Sequence, residues 1–388
     1  MRTRHLRPLA VLVLLLVLSS CSVLSGRDRP PPTTGAAQTA APFDLRGVCP
    51  NPVVIQTDWN PEAEYAASYN LVGLGSKVDT KREAVRGPLT VEGRNTGVDV
   101  EVRTGGPVID FDSVAHRMYA DRSITLGLMN NEQEAQLWSK WPMTSVVAPL
   151  DISPGMIMWD PKAHPEWNTI VDIGQTDQKV FVTGDDLFPQ FLIGSGILRK
   201  DQVDPSYDGS PTKFLESRGR VAQGGFATAE PWLYEHATKG FDRPVSYQLI
   251  HDTGFQSYTQ TLAIRAGDKG RLAPCLHKLV PIIQRSIADY VKEPDRTNKL
   301  VVDLATVYNN GWIYPPELAD FSVRQQNQLG LVGNGSDQTI GNFDMARVRG
   351  VLGIVRTIFA SRKEPLPAGL TAEDLATNDF IDPAVGLR

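Results

Sequence analysis

Short apolar runs, each closed by turn residues and followed by a stretch of helical length, recur along this chain and restrict it more than any single motif. Residues 53–58 (VVIQTD) form the first run, and Trp59-Asn60-Pro61-Glu62 ends it before a helical stretch over 63–70. Pro61 suits the first turn of that helix, where a missing N–H removes no bond. Residues 98–103 come next, closed by Thr104-Gly105-Gly106-Pro107. A helix around 113–120, a strand at 124–128, a helix around 132–140 and a strand at 145–150 follow. Strands alternating with helices in this way predict βαβ units and a mostly parallel sheet. The polar, glycine-containing segment 75–96, broken by Gly87-Pro88, reads as an excursion and fits a hairpin.

Residues 156–160 read as a connection, after which the pattern restarts. Residues 179–184, 220–226 and 245–250 are strand-like, and Asp185-Asp186 sits where a helix would be capped. Ala227 to Trp232 opens another helix. The strand at 261–265 precedes a tail that is mainly helical, at 272–291, 296–309, 316–329 and 344–360. The tail has no sheet of its own, so it is expected to cover the first set of strands. The expected fold class is α/β, with two lobes and two chain crossings near 154–160 and 250–254. Lobe I would comprise 48–155 and 252–388, and lobe II 156–251. In open α/β sheets ligands sit beyond the carboxyl ends of the strands. Two such lobes joined by a double crossing make a cleft that closes by hinge motion.

The N-terminus has its own logic. Arg2, Arg4 and Arg7 precede a wholly apolar stretch at 9–18, which ends in Leu18-Ser19-Ser20-Cys21. The apolar stretch falls short of the ~20 residues of a membrane span. A basic start, a short apolar core and a small-residue boundary describe an export signal over 1–20. The cysteine resembles that of a bacterial lipoprotein signal. That resemblance implies a diacylglycerol on Cys21 and a body held at the outer face of the cell membrane, each buried methylene adding ~0.8 kcal/mol. A plain cleaved signal is the alternative. Residues 21–47, rich in Pro, Thr, Ala and Gly, read as a flexible stalk.

The net charge of −5 comes without a basic stripe, which argues against a nucleic-acid partner. Cys49 and Cys275 remain beyond Cys21, and in an oxidising compartment they read as one disulfide or as two buried thiols. The cysteines and the six histidines lack metal-ligand spacing, so no metal and no cofactor are expected.

Seven segments carry a further resemblance: VVIQTDWNPEAEYAASYNLVG, VRTGGP, VVAPLDISPGMIMWDP, YDGSP, QGGFATAEPWLYE, LGLVGNGSDQTIGNFD and NDFIDP. Over about residues 48–388 the chain resembles the solute-binding proteins of bacterial ATP-driven (ABC) importers. The branch is the one shared by thiamine-precursor-pyrimidine, nitrate, sulfonate and taurine binders. The resemblance implies the type II two-lobe periplasmic-binding fold, a monomer, a small-molecule solute, and a membrane permease with its ATPase as partners. The 75–96 excursion is longer than the corresponding connection of that branch.

Candidate ligand-binding residues lie at strand ends. Trp59 and Glu62 follow the first strand, where an aromatic stacks on a flat ligand or belongs to the core. Gly105 and Gly106 offer N–H donors at close approach or simply make a turn. Asn130 binds a polar ligand or caps the next helix. Thr183 and Asp185 sit at a strand-to-helix turn, and Thr228 and Glu230 at the equivalent turn one strand later. Trp159, Tyr207 and Asp208 are rim candidates, with surface packing the plainer role for Tyr207. Asp252 lies at the second crossing beside His251.

Acids and aromatics outnumber cations among these residues. Sulfonate or nitrate would call for Arg, Lys or many donors. A neutral or weakly cationic heterocycle, such as an aminopyrimidine, fits better. No catalytic residues are assigned. The pyrimidine-synthesising enzymes of the same fold use a cysteine-rich iron motif that this chain lacks, and Gly194-Ser195-Gly196 is too short for a nucleophile elbow. An enzyme of that branch and a non-transport envelope lipoprotein are the competing readings.

Overall fold

The computed structural model describes residues 43–184 and 186–387, so the leader, Cys21 and Asp185 lie outside the described residues. Two sheets organise the fold. In chain order, β1 (Val53–Gln56), β2 (Lys77–Asp79), β3 (Ala84–Val91), β4 (Arg94–Arg103), β5 (Leu126–Met129) and β6 (Met143–Val147) enter the first. β7 (Gly155–Trp159), β8 (Val180–Phe181), β9 (Val203–Asp204), β10 (Ala222–Phe226) and β11 (Ser246–Leu249) make the second, and β12 (Thr261–Arg265) returns to the first. The orders are β2-β3-β4-β1-β5-β12-β6 and β11-β7-β10-β8-β9.

β1 runs parallel to both β4 and β5, and all four of its residues are buried. That explains an unalternating Val-Val-Ile run, since a central parallel strand is covered on both faces. The 75–96 excursion is a meander: β2, β3 and the first part of β4 pair antiparallel and extend the sheet at one edge. The stretch 156–160, expected as a connection, is instead β7, paired antiparallel with both β10 and β11. Its apolar residues Met156, Ile157 and Met158 are wholly buried, and central strand pairing overrode the turn signal of Pro154-Gly155. The chain therefore leaves the first sheet between Val147 and Gly155 and returns between Leu249 and Thr261.

The helical tail packs on the first lobe. The helix Lys269–Lys292 places Leu276, Leu279, Ile283 and Ile287 in one core with Val53, Ile55, Val100 and Val146. Cys49 and Cys275 are bonded, tying the approach to β1 to this helix across 226 residues. The helix Met345–Ser361 starts at Asp344, whose carboxylate accepts from the N–H groups of Ala346 (2.8 Å) and Arg347 (3.3 Å). Its Val348, Val351 and Val355 join a second core with Ile157, Trp159, Ile250 and Phe255. Apolar packing is thus continuous from the second sheet, past both crossings, to the tail. Among the described residues no helix is long and apolar enough to cross a membrane.

Candidate functional site

The loops after β1 and β4 lie on one another. Gln56 Nε2 donates to the carbonyls of Thr57 (3.0 Å) and Thr104 (2.9 Å), and Thr57 Oγ1 donates to the Trp59 carbonyl (2.7 Å). The Gly105 N–H donates to the Trp59 carbonyl (3.0 Å) and the Gly106 N–H to that of Asp58 (2.9 Å). A Cβ at Gly105 would stand 2.3 Å from the Thr57 carbonyl oxygen, and one at Gly106 2.8 Å from the Trp59 ring. These glycines let the two loops touch, and their N–H groups are spent there. The expectation that they present free donors to a ligand is corrected accordingly.

This double loop gathers carboxylates. Glu62 stands within electrostatic reach of Asp58, Glu64 and Glu230 of the second lobe, and Glu230 within reach of Glu64. Burial raises the Asp58 carboxyl above its ordinary range, with a Tyr65 hydrogen bond opposing. Glu62 is held well above the usual carboxylate range, first by burial and then by repulsion from Glu64 and Asp58. Burial also raises Glu64. Glu230 is pushed up to about 7, chiefly by burial, against the N–H of Phe226 that it accepts at 2.7 Å. Glu62 and Glu230 sit deep in the protein yet each keeps some solvent-reached surface. Among the described residues no cation is one of the main influences on these four groups.

Neighbours hold the acids in place. Gly225 makes room for Glu230, since a Cβ there would meet the Glu230 carboxyl carbon at 2.7 Å. The Tyr207 hydroxyl donates to Glu230 Oε1 at 3.4 Å, so Tyr207 has a polar role beyond surface packing. Thr228 and Ser322 are the hydroxyls that face the Glu64 carboxyl. Even so, Glu64 Oε2, Thr228 Oγ1 and Ser322 Oγ are buried and make no hydrogen bond of ordinary geometry.

Aromatic rings stand beside the acids. Trp59 is half-buried, with Phe111 at 5.8 Å between ring centres and Trp312 perpendicular to it at 6.0 Å. Phe111 is 69% exposed and has φ of +57°, directly after Asp110 at +54°. Left-handed backbone is costly for a bulky side chain and clusters at functional sites. The tail braces the acidic loop from behind. Trp312 donates its indole N–H to the Pro61 carbonyl (3.1 Å), Asn310 Nδ2 donates to Asn60 Oδ1 (2.7 Å), and the Tyr314 hydroxyl accepts the Ala63 N–H (3.0 Å).

Other sequence candidates are placed differently. Gly155 pairs with Phe226, so Trp159 occupies the opposite end of β7 from the Glu230 turn, 1% exposed within the second lobe's core. Its indole fills that core rather than a rim. Asn130 does not cap a helix with its side chain: its Oδ1 accepts the Gln260 N–H at 2.9 Å, and the side chain acts on the buried Glu132 carboxyl. Thr183 is exposed and its hydroxyl bonds the Asp186 carboxylate. Asp186 in turn faces Glu132, whose carboxyl burial lifts to about 7 while the Ser257 hydroxyl bonds it. Asp208 accepts the Ser210 N–H (2.9 Å) in an exposed turn, and Asp252 is exposed at the second crossing. Asp58, Glu64, Phe111 and Trp312 escaped sequence reasoning. Asp58 and Glu64 flank a residue it did single out, whereas Phe111 and Trp312 come from loops with no local signal.

Within the first lobe, where Glu64, Gln326 and Leu150 meet, a void of about 10 Å³ remains, the size of one water. A larger groove of about 470 Å³ lies at the starts of β1 and β5, lined by Arg86, Arg103, Arg122, Arg265 and Arg271. Most of these cations are already paired, Arg86 with Asp99, Arg103 with Glu101 and Asp121, and Arg265 and Arg271 with Asp268. Among the described residues no three His, Cys, Asp or Glu side chains are disposed to hold a metal ion.

The architecture is that of two-lobe periplasmic solute-binding proteins. The periplasmic aliphatic sulphonate binding protein of Escherichia coli superposes with a TM-score of 0.53 at 9% identity, covering 83% of this chain and 94% of that one. The zinc-bound ligand-binding component of an ABC-type import system from Staphylococcus aureus gives 0.52 at 12% identity, covering 84% and 97%. The alkanesulfonate-binding protein of Xanthomonas axonopodis pv. citri, bound to MOPS, gives 0.50 at 11% identity, covering 85% and 100%. At such identities the likeness is one of fold. No family model and no curated protein sequence matches the chain.

Proposed function

We propose that this protein is the extracytoplasmic solute-binding component of an ABC-type importer, which captures a small molecule between its lobes and presents it to a membrane permease with its ATPase. The observation that carries the reading is the junction at the carboxyl ends of β1, β4 and β10, where Asp58, Glu62, Glu64 and Glu230 gather beside Trp59 and no cation of the described residues is a main influence on them. Stability alone does not favour such a cluster, because a buried charge without a partner costs several kcal/mol, on the order of 3–5. Strand tips facing each other across a double crossing are where α/β proteins of this design hold ligands. Trp59, Glu62, Thr228 and Glu230 are the ligand-contacting residues of this reading, joined by Asp58, Glu64 and Tyr207. The ligand is a small heterocycle of the pyrimidine type. The protein works as a monomer, tethered at the outer membrane face through Cys21, and turns over no substrate.

The test is direct. The full chain, purified natively and then denatured, should release a stoichiometric small molecule detectable by mass spectrometry. Adding that molecule back at about 100 times its dissociation constant should stabilise the protein by ~2.7 kcal/mol. A chain that carries nothing and gains no stability from any solute in a broad panel rules the reading out, and chemical conversion of the bound solute would reassign the protein as an enzyme.

A further inference from the structure

We infer that the solute is an organic cation, held by the carboxylates of Asp58, Glu62, Glu64 and Glu230 and by the ring faces of Trp59 and its neighbours; this rests on the solute-binding reading above. Three observations converge. The first is charge: three acids of one lobe and one of the other stand together, and among the described residues no arginine or lysine is one of the main influences on them. Two lobes that bring like charges together need a positive charge between them, or protons, in order to close.

The second is unsatisfied polar surface. Glu64 is 5% exposed and Thr228 is 0% exposed, and the Thr228 hydroxyl, across the junction, and that of Ser322 act on the Glu64 carboxyl, yet neither Glu64 Oε2 nor Thr228 Oγ1 makes a hydrogen bond of ordinary geometry. Asp58 Oδ1, on the same loop, is likewise buried and unpartnered. Buried polar atoms in folded proteins are nearly always paired, so orphans facing one junction mark donor positions that a ligand supplies. An N–H-bearing cation supplies donors to the two carboxylate oxygens, which an anion does not, while the Thr228 hydroxyl can donate or accept.

The third is aromatic. Trp59, Phe111 and Trp312 form one contiguous group, and Phe111 is kept exposed in a left-handed backbone conformation. Aromatic faces attract cations, Trp most strongly. The carboxylates are not disposed for an inorganic ion, since no metal-holding group of three occurs among the described residues. A flat or quaternary nitrogen cation satisfies both the rings and the acids. A protonated aminopyrimidine or an amidine meets that description, and a sulfonate does not.

Calorimetric titration of the full chain at pH 8 with benzamidine, N-methylpyridinium and choline tests this. Benzyl alcohol, 3,3-dimethylbutanol, ethanesulfonate and zinc chloride serve as neutral, anionic and metal counterparts. At least one organic cation should bind about tenfold or more tighter than its neutral counterpart, as charge-assisted contacts require. Glu62→Gln and Glu230→Gln should each weaken that binding about tenfold, with unchanged circular dichroism and a thermal midpoint no lower than the parent's. Phe111→Leu, on the exposed rim, gives a second reading should either Gln variant fold poorly, and it should weaken the cation selectively. Tighter binding of ethanesulfonate, a neutral compound or zinc overturns the charge assignment while leaving the solute-binding reading in place, as would an anionic or uncharged solute released from the native protein. Absence of binding by every probe, with no solute released, overturns both.

Discussion

Arg347 Nη1 lies 3.1 Å from the carboxylate of Asp151 while the same guanidinium donates to the carbonyls of Gln256 (2.6 Å) and Ser257 (3.3 Å). Asp151 belongs to the first crossing between the lobes, and Gln256 and Ser257 to the second. One side chain from the tail helix therefore clasps both straps, and it stacks over the Tyr258 ring at 3.8 Å. The planar fork of arginine suits such a role in a way that a lysine ammonium does not. Arg347→Lys should keep the charge but loosen the clasp. The expected outcome is a solution radius of gyration shifted toward a more open form by small-angle scattering, together with a several-fold weaker affinity for the solute. Unchanged scattering and affinity would show that the crossings hold their geometry without it.

Stability should fall as the medium becomes more alkaline, and Glu134 should account for much of the fall. This carboxyl is 0% exposed, accepts from Asn131 Nδ2 (2.8 Å) and Ser145 Oγ (2.6 Å), and is pushed by burial up to about 8. The folded protein keeps its proton where the unfolded chain, at its ordinary 4.5, has already lost it. Stability contributed below pH 4.5 is therefore lost as pH rises from there to about 8, by up to ~1.4 kcal/mol per unit for one proton. Glu132 and Glu230, each raised to about 7, act in the same direction. Glu134→Gln should flatten the decline of the thermal midpoint between pH 5 and 8. An unaltered slope would mean that Glu134 is ionised in the folded state.

The Cys49–Cys275 bond closes a loop of 226 residues. Restricting so long a loop in the unfolded chain stabilises the fold by a few kcal/mol, typically ~2–5. Cys275→Ser should lower the unfolding free energy by that order in denaturant titrations. Adding reductant to the unaltered protein should reproduce the loss, and adding it to the variant should change nothing. A reductant-sensitive variant would point to chemistry outside this bond.

The order and type of the main elements were legible in the sequence because parallel strands and tail helices carry strong, local hydrophobic signals. The run 261–265 coincides with β12, and the tail helices begin and end within three residues of their expected bounds. β7 was missed because Met156 to Trp159 is short and bounded by turn residues, and only its pairing with β10 and β11 makes it a strand. Part of the candidate site could also be proposed from the sequence. Trp59, Glu62, Thr228 and Glu230 sit at strand ends, where position alone implies reach into a cleft. Phe111 and Trp312 were not legible, because they meet Trp59 from segments 52 and 253 residues away in sequence, through a tertiary fold that no local pattern encodes. Trp159 misled for the complementary reason: a tryptophan near an expected crossing looks like a rim group, and the antiparallel register of β7 carries it to the far end of its sheet.

Phe111 offers a separation of stability from function. Its left-handed φ costs an L-residue roughly 1–2 kcal/mol, whereas asparagine tolerates that region well. The ring is 69% exposed, so little burial is lost when it is removed. Phe111→Asn should therefore leave the thermal midpoint equal or raise it by about 1–2 °C, given how free-energy changes scale with chain size. Asparagine keeps a side chain at this position and so adds none of the unfolded-state freedom that glycine would bring. The same change removes a ring face 5.8 Å from Trp59, and a lost cation–aromatic contact of about 1 kcal/mol corresponds to a roughly five-fold weaker affinity for an organic cation. Scanning fluorimetry and calorimetric titration of one preparation read both quantities. A variant that is more stable and binds less tightly would establish that the backbone strain at Asp110-Phe111 is maintained for the ligand. A variant that loses stability and keeps its affinity would make Phe111 a packing residue of the Trp59 loop.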